Sequence, residues 1–464
     1  LKRKIIAYLE SWRSSLQKKP FLLTGAKSTG KTYLALAFAH NFYESYVYWN
    51  FENYPVNTES LLQAGKDDLA AFFSCIQTGS RVMDPSGGNE VYQKNIVILD
   101  EIFLCSKVKS IISKIMELYP DSDIMTVSSI IPDVSEDCMD YREEDFKIGK
   151  LYPMDFEEFL MATGNEWYIE VIKEEFRSSK SIPEIVHSEL LELLEEYLTV
   201  GGLPQAVNEY ITSGCKDNIT EIHRNILYSY LFEIGTRRND GCALKVKQIL
   251  YSLPEQLSKK NKKFQYNLIR QGATEGLFLE GHTYIKNTWF GIYNNKLTDD
   301  EIENRQTAHQ KNVATKIYLF DVGLYHSLSN LTGIEKDKEF REGLLETYVA
   351  EALAASGIEF GYWETASGSC SLFLLNKIPE ELLLYSSNLE EGYSPDDNHP
   401  NGFYLLEVRE KSGNRSKVLN SFREKHPYSQ PAIRLTADKT DDGKKPDNIQ
   451  VLSLYSIFCL SEMA

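Results

Sequence analysis

The stretch KKPFLLTGAKSTGKTYLALAFAHNF, residues 18–42, decides how the rest of the chain is read. Phe21-Leu22-Leu23 is a short apolar run that stops at Thr24 and Gly25, as a buried strand would. Thr32 to His40 is rich in Ala, Leu and Phe, which predicts a helix. Between them Gly25-Ala26-Lys27-Ser28-Thr29-Gly30-Lys31-Thr32 has the spacing G-x-x-x-x-G-K-[ST]. The glycines let the backbone curl so that successive N–H groups point inward. A phosphate chain would rest on those donors and on the positive end of the following helix. Lys31, read as a side chain on a solvent-facing loop, would reach the outer phosphates, and Thr32 would offer its hydroxyl to a magnesium ion. An ordinary glycine turn has no need of this spacing between a strand and a helix.

A phosphate cradle needs a partner on its metal side, and NIVILDEIF, residues 95–103, supplies one. Ile96 to Leu99 predicts a strand buried on both faces. Asp100 and Glu101 follow at its carboxyl end, where ligands bind in open α/β sheets. Asp100 would hold magnesium through water, and Glu101 would orient and polarise the attacking water. Without the upstream loop, the acidic pair would serve equally well to cap a helix. DSDIMTVSSII, residues 121–131, reads as the next strand, with Ser128 placed near its end to touch the γ-phosphate or the water. YVYWNFE, residues 46–52, is another strand; Asn50 and Glu52 lie at its ligand edge without an assignable role.

Working outward, 464 residues suffice for about three domains of ordinary size. No apolar run is as long as a membrane span. The amphipathic, charged start LKRKIIAYLESW is unlike a secretory leader. Seven cysteines are scattered without a C-x-x-C, and eight histidines without an H-E-x-x-H, so a disulfide framework or zinc site is not expected. These features give a cytoplasmic reading with no membrane partner. A net charge of −17 opposes general binding to nucleic acid. One local exception is SKKNKKFQYNLIRQG, residues 258–272, where Lys259, Lys260, Lys262, Lys263 and Arg270 are candidate DNA contacts; a solvated lysine face is the plainer reading.

Strand and helix signals alternate over residues 1–155, as a parallel sheet requires. Residues 156–240 turn helical, broken at Gly201-Gly202-Leu203-Pro204. Residues 241–330 mix short helices with two strand-like runs, TYIKNTWFGIYNN and TKIYLFDVG, on the scale of a helix-turn-helix with a wing. From 331 a helix, EFREGLLETYVAEALAASG, leads into the strand candidates FGYWET, CSLFLL and FYLLEV, an α/β layout again.

Taken together, LLTGAKSTGKTYLALAFA, IVILDEI, LYPMDFEEFL, YLTVGGLPQAV, LPEQLSKKNKKFQY, KIYLFDVGL, GLLETYVAEAL and LLEV make the chain resemble bacterial and archaeal AAA-type P-loop ATPases that carry a C-terminal domain of unknown function with a nuclease-like core. That family is similar to the signal-transduction (STAND) branch of AAA-like ATPases. The resemblance implies a P-loop NTPase parallel sheet over 1–155, a helical lid over 156–240 whose 201–204 block faces the nucleotide, a winged-helix-like module over 241–330, and a C-terminal α/β domain over 331–464. It implies ATP with Mg2+ as cofactor and a protein or DNA partner. The last domain would resemble a restriction-endonuclease, PD-(D/E)xK-like core, which pairs an Asp on one strand with Glu-x-Lys on the next. This chain departs from that pattern: Leu372 stands where the Asp would be, and Glu407-Val408-Arg409 replaces Glu-x-Lys, while Glu346 survives on the preceding helix. Arginine is too basic to act as the base, so the domain is expected to be an inactive packing or partner-binding module. Phe103 replaces a frequent Gln after Asp100-Glu101-Ile102, and Val127 replaces the glycine beside Ser128. Three functions compete: a working ATPase that drives a conformational change, a slow nucleotide switch or scaffold, and, disfavoured, a DNA-cleaving ATPase.

Overall fold

The structure, a computed structural model, describes residues 1–15, 19–53, 78–80, 95–105, 107–131, 143–178, 182–238, 240–304, 314–365, 368, 371–375, 403–411, 416–426, 432–438 and 449–460. Contacts gather the chain into two compact units. One comprises Arg3–Tyr152 with Asn287–Phe290; the other comprises Leu1–Lys2, Pro153–Lys286 and Gly291–Ala464.

The first unit is built on one sheet. Its strands are β1 (Phe21–Thr24), β2 (Ser45–Asn50), β3 (Thr78–Ser80), β4 (Asn95–Asp100), β5 (Ser122–Ser128) and β6 (Lys147–Lys150), in the order β3-β2-β4-β5-β1-β6. β3 runs antiparallel to β2, and the other five strands are parallel. The period of two along each strand divides its side chains between two cores. Phe21, Leu23, Ile96 and Ile98 pack with Leu9, Trp12, Leu34 and Phe38 from the helices Ile5–Ser14 and Lys31–Phe42. Leu22, Val97 and Leu99 pack on the other side with Ile111, Ile112 and Ile115 from the helix Val108–Leu118. Burial on both faces is why β1 and β4 read as continuous apolar runs. β6, Lys-Ile-Gly-Lys, gives no such signal. Its Gly149 is required by packing, since a Cβ there would sit 2.5 Å from the Phe21 ring.

The second unit begins with the helices Phe156–Ala162, Trp167–Ser178, Glu184–Val200, Pro204–Ser213, Lys216–Arg237 and Asp240–Leu257. After Tyr266–Ile269 and the helix starting at Glu275 come β7 (Gly291–Asn295) and β8 (Thr315–Leu319), an antiparallel pair. The run expected to be extended from Thr283 is therefore helical as far as Asn287, because Phe278, Gly281, Tyr284 and Ile285 recur at helical spacing on a buried face. The helices Val322–Leu331 and Lys338–Ala355 precede a five-stranded sheet. Its strands are β9 (Phe360–Glu364), β10 (Ser371–Leu375), β11 (Tyr404–Arg409), β12 (Ala432–Thr436) and β13 (Ile449–Ser453), in the order β13-β12-β11-β10-β9. β9, β10 and β11 pair antiparallel, whereas β11, β12 and β13 are parallel.

Three of the sequence blocks singled out above meet inside this unit. Met154 N–H donates to Gly202 O at 2.7 Å, and Gly202 N–H donates to Asp321 Oδ2 at 2.8 Å. Asp321 Oδ1 caps the next helix by accepting from Leu324 N–H at 2.7 Å. Gly202 has no room for a Cβ against Met154 O. The peptide groups of Gly202, expected to face a nucleotide, are thus committed to a junction of three chain segments.

Candidate functional site

The residues of interest in the first unit lie at the carboxyl ends of β1 and β4, where Thr24 leads into the loop and Asp100 closes the strand. Gly25 (φ +147°) and Gly30 (φ +90°) take backbone conformations that side-chained residues rarely adopt. A Cβ on Gly25 would collide with Leu151 O. Ser28 shares the left-handed region at φ +69°. Thr29 Oγ1 closes the loop by donating to Ala26 O at 2.9 Å. Lys27 lies in the same turn before the helix begins at Lys31.

Lys31 is not the solvent-facing side chain expected from the sequence. It is 6% exposed, and its ammonium donates to Ala26 O at 2.8 Å, so the chain folds back under its own loop. Thr32 Oγ1 donates to Asp100 Oδ2 at 2.7 Å. The hydroxyl and the carboxylate therefore converge although 68 positions separate them. A pair of oxygen donors suits a hard dication such as magnesium. Asp100 is held further by Tyr48 OH at 2.9 Å and Asn50 Nδ2 at 3.2 Å, both donating to Oδ2, and by Glu101 N–H to Oδ1 at 3.0 Å. Asn50 thus has the role that sequence reading could not give it, and Tyr48, two residues earlier on the same face of β2, was missed. Polar residues alternating at the end of an otherwise apolar strand are the signal that would have found both.

Glu101 has φ +52°, a left-handed conformation for a residue with a long side chain. Its Oε2 accepts from Ser129 N–H at 3.3 Å. Burial pushes its carboxyl pKa above the ordinary range, and the positive charge of Lys31 opposes that rise. Such a carboxyl is poised to accept a proton from water once ionised. Ser128, the expected sensor, is fully buried and donates to Ile130 O at 2.7 Å. The bond ties Ser128 Oγ to the turn after β5.

In the second unit the lysine cluster divides. Lys259 and Lys260 are exposed, with Lys259 paired to Glu255 at 3.3 Å, and Arg270 is exposed as well. Lys262 is 4% exposed and meets Glu342 at 3.4 Å and Glu346 at 3.5 Å. Lys263 meets Glu364 at 2.6 Å. The reading of a single phosphate-facing surface therefore fails for Lys262 and Lys263, whose charges are spent on carboxylates within the unit. Lys316 joins them, donating to Glu346 Oε2 at 2.9 Å and to Ser371 Oγ at 2.7 Å, while Tyr318 OH donates to the same Glu346 oxygen at 2.9 Å. Burial alone would raise the Glu346 pKa, but Lys262 and Lys316 overrule it and hold the carboxyl down at about 2.

The other surviving carboxylate of the nuclease-like pattern is also occupied. Glu407 accepts from Arg434 Nε at 2.8 Å and from Ser416 Oγ at 2.6 Å, and pairs with Arg409 at 2.7 Å. Leu372 is 1% exposed and packs in an apolar cluster with Trp363, Leu374 and Leu405. Arg434 is 0% exposed; it lies on β12, a strand the sequence reading did not find. Removing one member of a buried ion pair strands the other charge, at about 3–5 kcal/mol. Glu407→Ala is therefore expected to lower the urea midpoint of the second unit by a corresponding amount, with a smaller loss for Glu407→Gln, read by circular dichroism against urea. Among the described residues, no group of three or more His, Cys, Asp or Glu side chains is arranged to hold a metal ion. No described helix is long and apolar enough to cross a membrane. Arg142, the first residue of the Arg142-Glu143-Glu144 run that resembles the family's segment between sensor and lid, lies outside the described residues.

The parallel sheet, with its glycine loop after β1 and acidic pair after β4, is the α/β architecture of a P-loop nucleotide-binding domain. Residues 17–160 match the family model described as an AAA domain. Residues 191–335 match a second model, described as a domain of unknown function, DUF8612. No curated protein matches the chain. Among solved structures, the chain is similar to the Walker-type ATPase PABY2304 of Pyrococcus abyssi, at 16% identity and a TM-score of 0.40, over 70% of this chain and 95% of that one. It is also similar to the ORC1 protein of Aeropyrum pernix, solved in complex with DNA, at 12% identity and a TM-score of 0.28, over 71% of this chain and 91% of that one.

Proposed function

We propose that the chain binds ATP with magnesium and hydrolyses it, and that the cycle drives a conformational change acting on a partner macromolecule. The observation that carries this reading is the convergence of Lys31, Thr32, Asp100 and Glu101 at one edge of the first unit's sheet. Gly25 to Thr32 would hold the phosphates, with Lys31 leaving Ala26 O to reach the outer ones. Thr32 and Asp100 would hold magnesium, which supplies charge neutralisation between phosphate oxygens. Glu101 would take the proton of the attacking water, and Ser128 would fix the turn beside it. Phosphate release from ATP that requires magnesium and stops on chelation is the expected result. Failure to bind ATP at all would overturn the reading, and tight binding with negligible turnover would replace it by the slow-switch reading.

For the second unit we propose a lid over 156–240, a winged-helix-like module over 241–330 and a nuclease-like module from 331 that does not cut DNA. The helices from Asp240 to Asn287 followed by the β7–β8 pair support the middle assignment. Arg434, Arg409, Lys262 and Lys316 support the last one, because they neutralise the carboxylates that a metal would need. Incubation of duplex DNA with the protein and magnesium or manganese is expected to leave it intact. Cleavage that disappears in Glu407→Ala would refute the assignment. Contact with DNA would fall to Lys259, Lys260 and Arg270, and with so few charges it would be lost at moderate salt.

A further inference from the structure

The first unit contains four residues from far along the sequence, Asn287–Phe290, and one of them touches the start of the glycine loop. Trp289 Nε1–H donates to Thr24 Oγ1 at 3.3 Å. Thr24 is the last residue before Gly25 and is fully buried. The Lys150 ammonium lies 4.4 Å from the centre of the Trp289 ring, and Lys150 is itself the partner of Thr24 in the β1–β6 register. Ile131 N–H, just past β5, donates to Asn287 O at 3.0 Å. Thr288 and Phe290 are buried on either side. Trp289 takes φ +58°, a left-handed conformation that a bulky residue adopts only when its surroundings impose it. A strained tryptophan, anchored on both sides and bonded to the residue that opens a phosphate loop, is more than filler for a gap.

We propose that Trp289 is a positioning residue for the nucleotide loop: its indole N–H fixes Thr24 and so the angle at which Gly25 turns toward the phosphates. This rests on the nucleotide reading above. Thr24 is constrained from its other side by Leu151 N–H, which donates to Thr24 O at 2.7 Å. The indole and Leu151 thus hold the side chain and the carbonyl of the same residue. Phosphates seated on the loop would change the electric field at the indole, so its emission would report their binding.

The test titrates the full chain with ADP and with ATP–magnesium while recording tryptophan emission and, independently, affinity by calorimetry. Wild type is expected to show a nucleotide-dependent emission change that Trp289→Phe abolishes. Trp289→Phe should also weaken nucleotide about five-fold, the scale of one neutral hydrogen bond. Thr24→Val removes the acceptor while keeping the shape and the indole. It is expected to weaken binding by the same factor, and the double variant by no more than either single one. Trp289→Gly accepts the left-handed backbone without strain and serves if the phenylalanine variant does not fold. Unchanged affinity in both single variants, or additive losses in the double, overturns the proposal while wild-type binding keeps the nucleotide assignment. If wild type binds no nucleotide, both fall, and the calorimetry distinguishes that case.

Discussion

Glu101→Gln is expected to retain ATP and magnesium but to hydrolyse ATP about 10²–10⁴-fold more slowly, the span attributed to a positioned general base. The substitution keeps the side-chain oxygen that accepts from Ser129 N–H, so the turn after β5 is preserved. What disappears is the carboxylate that can accept a proton. A pH profile of the unsubstituted protein is expected to point to the same residue. Burial raises the Glu101 pKa, so the protonated, inactive form persists to higher pH than for an exposed glutamate, and turnover should climb with pH above the ordinary carboxylate range. Single-turnover phosphate release across a pH series measures both effects. A glutamine variant with parental turnover would move the base elsewhere.

Lys31→Ala is expected to weaken ATP by at least about 10–100-fold, since a charge-assisted hydrogen bond contributes roughly 1.5–3 kcal/mol. The buried position of the lysine adds a second effect that a surface lysine would not have. Ala26 O keeps the Thr29 hydroxyl but loses the ammonium as a donor, and a modest fall in the stability of the first unit follows. A third effect reaches Glu101. The Lys31 charge counteracts burial there, so its loss drives the Glu101 pKa further up and moves the rise of turnover to higher pH. Lys31→Met separates these effects by keeping the stem and removing the charge. Equilibrium binding of a fluorescent ATP analogue, with urea unfolding alongside, provides the readout. Parental affinity in a folded Lys31→Met variant would sink the loop as the nucleotide site.

The parts of the site readable from sequence are those that depend on short-range spacing. The glycines of the loop, Lys31 and Thr32 lie within eight consecutive positions, and Asp100-Glu101 ends a strand whose apolar run announces it. What escaped was set by pairing across the sheet. Tyr48 and Asn50 reach Asp100 only because β2 lies beside β4 in register, with Asn50 opposite Asp100. Trp289 escaped because the segment that carries it is remote in sequence from the loop it touches. In the second unit, Leu372 and Arg409 depart from the nuclease pattern that the resemblance implies. The agents that neutralise its carboxylates could not be seen, because Lys262, Lys316 and Arg434 belong to other segments. Lys262 was misread for a related reason: a run of lysines looks solvated until its counter-charges, Glu342 and Glu346, are folded against it.

That burial sets an order of events during synthesis. Lys262 leaves the ribosome 80 residues before Glu342, and Lys316 precedes Glu346 by 30. At about 5–20 residues per second, the first lysine waits on the order of 4–16 s for its carboxylate. Until then it has no reason to leave water, because an unpaired ammonium resists burial. The segment around Lys262 therefore reaches its final packing only after the helix Lys338–Ala355 has emerged. The match to the DUF8612 model ends at residue 335, before that helix, so a chain that ended there would carry the lysines and never receive the charges that bury them.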